Sequence, residues 1–262
     1  MKQFARMNIL RTITIGAMML AAASVAPSAY AEDSHPFMDT SRPDKPLDIG
    51  IHVGLGVSTI TQNYASAIPG CADFHLSSGL QSVFGATVEV PLRKFLAIGT
   101  GADFLINNNS WAMTVIDAEP NRVSSFYCRN AYRAFEIPVY ISLRFNLGSR
   151  VSWVNEAGVF FGFGTGGKTK ITAYTVAVNQ LGQQQVTRSK YDNPYYKADT
   201  PVLNGIERNQ WGVHLSTGLR YRERWSLKTV LRYGFSDVAC NYGVLDVHIH
   251  NLSVSFRLGY TF

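Results

Sequence analysis

The segment NLSVSFRLGYTF, Asn251 to Phe262, decides how the rest of the chain is read. Leu252, Val254, Phe256, Leu258, Tyr260 and Phe262 alternate with Ser253, Ser255, Arg257, Gly259 and Thr261. Large apolar residues on one face and none on the other make a strand with one greasy and one polar side. In a soluble sandwich the greasy side would cover a core; in a membrane barrel it faces lipid. The same alternation runs through Phe135, Ile137, Val139, Ile141, Leu143 and Phe145, against Glu136, Pro138, Tyr140, Ser142 and Arg144. It returns at Trp211, Val213, Leu215, Thr217, Leu219 and Tyr221, against Gly212, His214, Ser216, Gly218 and Arg220.

Five further segments show the pattern with more noise, beginning near Ile49, Phe84, Leu96, Val159 and Leu227. The connections between the eight segments alternate between long and short. Long ones cover Gln62 to Ser78, Asn108 to Asn130 and Lys170 to Asn209, with a medium one at Ser236 to His250. Short ones fall at Pro91 to Lys94, Asn146 to Arg150 and Arg222 to Arg224. Outer-membrane barrels join strands by short periplasmic turns and longer external loops. The expected fold is therefore all-β, an eight-stranded antiparallel up-and-down transmembrane β-barrel. An even strand number puts both termini on the short-turn, periplasmic side.

The 262-residue chain opens with Lys2, Arg6 and Arg11, an apolar run from Ile13 to Val25, and Ala29-Tyr30-Ala31. That is the layout of a secretory signal peptide over residues 1–31. Pro36, Pro43 and Pro46 then mark residues 32–46 as a flexible periplasmic tail, and residues 47–262 form the barrel domain. The leader holds three bases and no acid, so removing it lowers the formal charge from +6 to +3, with 21 basic against 18 acidic residues left. Those bases are spread along the strands rather than clustered, which argues against nucleic acid as a partner.

The polar faces would point into the lumen. They carry Glu89, Asp103, Glu136 and Glu156 together with Arg144, Arg220, Lys228, Arg232 and Arg257. About eight strands leave an interior that side chains just fill, whereas diffusion porins use roughly 16 to 18. Opposite charges can neutralise one another there, so a plugged lumen is expected. His52 and His214 face the same way and would join this network.

The run Phe135 to Phe145, with Glu136-Ile137-Pro138 at its head, resembles the corresponding strand of the Bacteroidetes-type outer-membrane β-barrel family, which includes the PorT-like proteins. Asn155-Glu156-Ala157-Gly158 before an aromatic-Gly strand, and Arg257-Leu258-Gly259-Tyr260-Thr261-Phe262 at the end, resemble it too. The resemblance covers Leu47 to Phe262 and implies residence in the outer membrane, with surrounding lipid as a partner. The closing residues Phe256, Leu258, Tyr260 and Phe262 are similar to the signal that barrel-assembly machinery reads in its clients. Some members of that family serve protein secretion, which would add secretion-apparatus proteins as partners.

Cys71, Cys128 and Cys240 all fall in long connections, in a compartment that permits disulfides. A Cys71–Cys128 bridge is the preferred pairing, with Cys240 left over or substituting for either. His248 and His250, with His75 from another loop, invite a metal reading, but the motif is short, no metal site is expected, and a solvated loop is the preferred reading. No cofactor is expected. Enzymes of similar barrel size need a nucleophile with a His in hydrogen-bonding reach. No such set can be placed at the outer rim here, so the chain is read as non-enzymatic. Tyr191, Tyr195 and Tyr196 mix with polar residues in the third long connection, as a contact loop would, or as an extended hairpin would. Trp111, Trp153, Trp211 and Trp225 sit near strand ends, where interfacial aromatics gather. Two functions fit: a structural or accessory barrel linked to secretion, and a surface receptor or adhesin acting through external loops.

Overall fold

A computed structural model describes residues 36–117, 122–179, 182–196, 206–240 and 247–262. The leader lies outside these residues. The described strands are β1 (Asp48–Gln62), β2 (Cys71–Arg93), β3 (Leu96–Ile116), β4 (Arg122–Asn146), β5 (Val151–Val178), β6 (Gln184–Pro194), β7 (Asn209–Tyr221), β8 (Trp225–Gly234) and β9 (Ile249–Thr261). One short helix, α1 (Tyr64–Ala67), lies between β1 and β2.

Eight of the strands close a ring. Neighbours run β4-β3-β2-β1-β9-β8-β7-β5, and β5 pairs back onto β4, all antiparallel. The first and last strands seal it, from Gly50 opposite Thr261 to Gln62 opposite Ile249. The ninth strand, β6, stands outside the expected count: it pairs with β5 alone, from Lys168 opposite Pro194 to Val178 opposite Gln184. It is the return arm of a hairpin that continues β5 beyond the ring.

The ring is inside-out relative to a soluble domain. Leu55 is 61% exposed and Phe161 57%, whereas Asp103 is fully buried and Arg232 is 2% exposed. Outward Ile49, Ile51, Val53, Leu55 and Val57 on β1 belong to an apolar belt shared with Phe135 to Leu143 on β4 and Phe256 and Leu258 on β9. Ile49 to Val57 covers the roughly 9–11 residues a tilted strand needs to cross hydrocarbon. Only a closed sheet leaves no unpaired backbone edge in such a setting.

The long connections are shorter than expected, because strands run far past the belt. Cys71 to Ser78, Asn108 to Ile116, Arg122 to Asn130 and Lys170 to Val178 are all paired strand. The alternation persists in these extensions but its sign flips. On β3, Trp111 and Met113 point in and Ser110 and Thr114 point out, so a search for greasy-out strands stops at Asn107.

At the short-turn end, residues 36–46 do not hang free. The backbone N–H groups of Lys94 and Phe95 donate to the carbonyls of Ser41 and Asp39 at 3.2 and 3.1 Å, and that of Asn146 donates to Phe37 at 2.8 Å. Phe37 stacks on Phe145 with ring centroids 5.0 Å apart. Lys94 pairs with Asp44 at 3.1 Å, and Lys45 Nζ donates to the Phe262 carbonyl at 3.0 Å. Residues 36–46, the described part of the segment expected to be a flexible tail, form a strap across the turns.

Candidate functional site

The interior is built in storeys. Nearest the short turns, Arg144 pairs with Glu89 and lies 3.1 Å from Asp48. The Tyr140 hydroxyl donates to Glu89 at 3.0 Å, and Arg220 reaches Asp48 at 3.4 Å. Above them Lys228 pairs with Glu156, and His214 Nε2 stands 3.6 Å from that same carboxylate. Arg232 then forks between Glu136 and Asp103, and its Nε donates to His214 Nδ1 at 3.2 Å. Arg257 donates to Asp103 at 2.6 Å, and His52 Nε2 sits 2.9 Å from the other Asp103 oxygen.

The structure thus brings all nine sequence-derived lumen residues together: Glu89, Asp103, Glu136, Arg144, Glu156, Arg220, Lys228, Arg232 and Arg257. It adds one that sequence reasoning missed. Asp48 supplies a fifth acid, and five carboxylates then face five cations. Its signal was available: Asp48 shares the parity of His52 one turn of the pleat before Ile49. Buried charges are tolerated when paired and hydrogen-bonded, and each would be costly alone. Missing side chains make room for them. A Cβ on Gly85 would lie 2.2 Å from Asp103 Oδ1, and one on Gly99 would lie 2.5 Å from the Tyr140 ring. Among these side chains is a cavity of about 50 Å³, room for a few waters.

A neutral layer follows. Gln81 Nε2 donates to Asn107 Oδ1 at 2.9 Å, Asn130 Nδ2 to Asn109 Oδ1 at 2.7 Å, and Thr169 to Asn130 at 2.9 Å. Tyr132 closes it, stacked on Tyr195 with centroids 4.3 Å apart. Beyond this layer the interior turns apolar. Ile60, Trp111, Met113, Cys128, Ile171, Val238, Val247 and Ile249 form one buried cluster, with Phe74, Phe126 and Ile206 packed against it. Each large side chain buried this way is worth about 1.5–3 kcal/mol. The extensions are therefore a folded cap with a core of its own.

Several sequence expectations change here. Tyr195 is 4% exposed and plugs the mouth, so it offers nothing to a partner. Tyr196 packs edge-on against Tyr132 and Tyr195, and of the three tyrosines Tyr191 is on the surface. Trp111 belongs to the cap core rather than to an interfacial girdle, while Trp211 and Trp225 are half exposed on the outer wall. The expected Cys71–Cys128 bridge is not formed, and all three thiols are free. Cys71 lies opposite Val115, which lies opposite Ser124, two strands across and four residues short of Cys128. That offset is roughly 16 Å, against a Cα limit near 7 Å for a disulfide. Burial pushes the Cys128 thiol up to about 12. His248 and His250 are engaged separately: His248 Nδ1 lies 2.5 Å from Asp237, and His250 Nδ1 lies 3.1 Å from the Ser236 carbonyl. Among the described residues no three His, Cys, Asp or Glu side chains gather as a metal centre would require.

Residues 31–239 match the family model described as the outer membrane protein beta-barrel domain. The chain belongs to this family. It is an outer-membrane β-barrel, as its belt and ring require. No curated protein matches it. Among solved structures it is similar to Ail, the attachment invasion locus protein of Yersinia pestis, at 11% identity, covering 83% of this chain and all of that one with a TM-score of 0.33. It is similar to OprG of Pseudomonas aeruginosa at 10% identity, covering 87% and 99%, TM-score 0.35. The outer membrane protease OmpT of Escherichia coli matches at 11%, covering 83% and 98%, TM-score 0.25. Likeness at this level carries no argument on function.

Proposed function

We propose that this protein is a sealed, non-enzymatic anchor that displays a recognition surface outside the cell. In this reading the short turns, the strap and both chain ends lie in the periplasm, and the cap faces outward. The observation that supports it is the cap: four strand extensions and residues of three connections share an apolar core above a plugged lumen. A conduit would leave the lumen open, and a plain anchor would have no use for a second core. Tyr191, Arg188 and Lys190 stand exposed on β6 and would form part of the contact surface.

A role as accessory to secretion, the other function drawn from the resemblance, would need a partner at the periplasmic turn of Leu92, Arg93 and Lys94. There the strap already occupies Lys94. The two readings part in a deletion strain. Surface recognition predicts an unchanged set of exported proteins and reduced attachment of whole cells to surfaces. Attachment should return with an Arg93→Glu/Lys94→Glu chain, and not with one in which Arg188, Lys190 and Tyr191 are each replaced by Ser. Precursors trapped in the periplasm would instead establish the secretion role. Stepwise conductance of the purified chain in planar bilayers would refute a sealed lumen.

A further inference from the structure

Just past the apolar belt the outer wall carries a basic groove that the lumen and cap do not explain. On β4 the outward residues run Phe135, Arg133, Ala131, Arg129; on β5 they run Phe163 and then, past an extra residue at Thr165, Gly166, Lys168 and Lys170. Register sets Arg129 opposite Lys170, Ala131 opposite Lys168 and Arg133 opposite Gly166. Ala131, Gly79, Gly166 and Gly167 have little or no side chain, so the wall sinks between the bases into a groove of about 710 Å³. That volume is in the range of small-molecule sites, about 300–1,000 Å³.

The charges there are unbalanced. Arg129, Arg133, Lys168 and Lys170 are exposed, and none has an ion-pair partner among the described residues. Like charges directly opposite on neighbouring strands destabilise a sheet, and Arg129 faces Lys170 in that way. Asp192, opposite Lys170 on β6, is the acid nearest these bases in the register, and Arg188 and Lys190 lie beside it. Depth narrows the choice of anion. Arg133 is the next outward residue after Phe135, whose ring packs on Phe104 at 5.7 Å, and it lies opposite outward Ile106 near the edge of the apolar belt. The guanidinium therefore stands where hydrocarbon gives way to headgroups, its stem along the apolar rim.

We propose that this groove binds the phosphate-bearing headgroup of an outer-leaflet glycolipid. Arginine forks match phosphate oxygens in pairs, and lysines add point charge. The assignment rests on the outward orientation of the cap proposed above.

The test uses the purified full chain in detergent, with native mass spectrometry as the readout. Its probes are lipid A carrying both phosphates, the same lipid after phosphatase treatment, phosphatidylglycerol, and inorganic phosphate. Phosphorylated lipid A should bind in preference to the other three. Replacing Arg129, Arg133, Lys168 and Lys170 by Gln should weaken it about tenfold or more. Ala131→Trp, which fills the groove and keeps the charge, should weaken it too. Replacing Arg42, Arg93, Arg150 and Arg224 by Gln removes as much charge at the other end and should change binding less than about twofold. Equal loss in both charge variants, equal binding of the dephosphorylated lipid, or full competition by inorganic phosphate or phosphatidylglycerol would overturn the proposal. All variants should keep the heat-modifiable mobility of the folded barrel. Micelle binding does not depend on orientation, so an epitope placed between Asn179 and Gly182 reads that separately on intact cells. An unstained epitope with binding intact would overturn the orientation and the glycolipid assignment while leaving a phosphate-binding groove.

Discussion

Arg232 is the residue on which the lumen turns. Its guanidinium forks between Glu136 and Asp103, donates to His214, and lies 5.6 Å over the Phe160 ring. Arg232→Met keeps the volume and removes the cation, leaving Glu136 without its ion-pair partner and Asp103 with Arg257 and His52. Breaking a buried pair in this way costs about 3–5 kcal/mol. Urea unfolding in lipid vesicles should show that loss, and Arg232→Lys should recover part of it, having charge but no fork. Asp237 acts at the same scale outside the membrane. Burial works to raise its pKa, but the backbone N–H groups of Ile249 and Ala239, with His248 beside it, outweigh that and hold the carboxyl below its ordinary 3.8. A depressed folded pKa means that the stabilisation is complete above the ordinary value and fades as pH falls through the folded one. The contacts of Asp237 with the Ala239 and Ile249 amides should thus hold at neutral pH and loosen in acid below 3.8. Hydrogen exchange at the Ile249 amide would follow it, and Asp237→Asn should abolish the acid response.

At the level of elements, the β7–β8 turn is held by residues ill suited to it. Arg222 and Glu223 have φ of 49° and 58°, the left-handed region, where a non-glycine residue costs about 1–2 kcal/mol. Comparable positions at Gly70 and Gly182 are glycine. Glu223→Gly should raise stability by about 0.5–1 kcal/mol after the extra freedom of the unfolded chain is subtracted. A higher urea midpoint at an unchanged slope would establish it. The same elements show what a sequence discloses. Period two with greasy side chains out located the eight ring strands, since lipid rewards that face all the way around. It could not follow β3 past Asn107 or foresee β6, because there the outer face meets water and the inner face holds Trp111 and Met113. The pattern was still present with its sign reversed. Pairings were less legible: Asp48 could be read from parity, while the neighbours of Cys71 depend on register shifts near Asp73 and Gln81 that no local signal announces.

Taken whole, the molecule is three stacked media within one wall: ions, then amides, then hydrocarbon. The wall closes where β1 meets β9, Gly50 against Thr261, more than two hundred residues apart in sequence. The Phe262 amide reaches the Ile49 carbonyl at 2.9 Å there. Every other seam of the ring joins strands that follow one another directly or across the β6 arm. This seam alone cannot form until the whole chain is present, and closing so long a loop is the slowest kind of contact to make. Until then β1 waits as an open edge, its hydrogen-bonding groups unmet in lipid and ready to accept any passing strand. The longer that edge of β1 stands open, the more chances the chain has to pair wrongly.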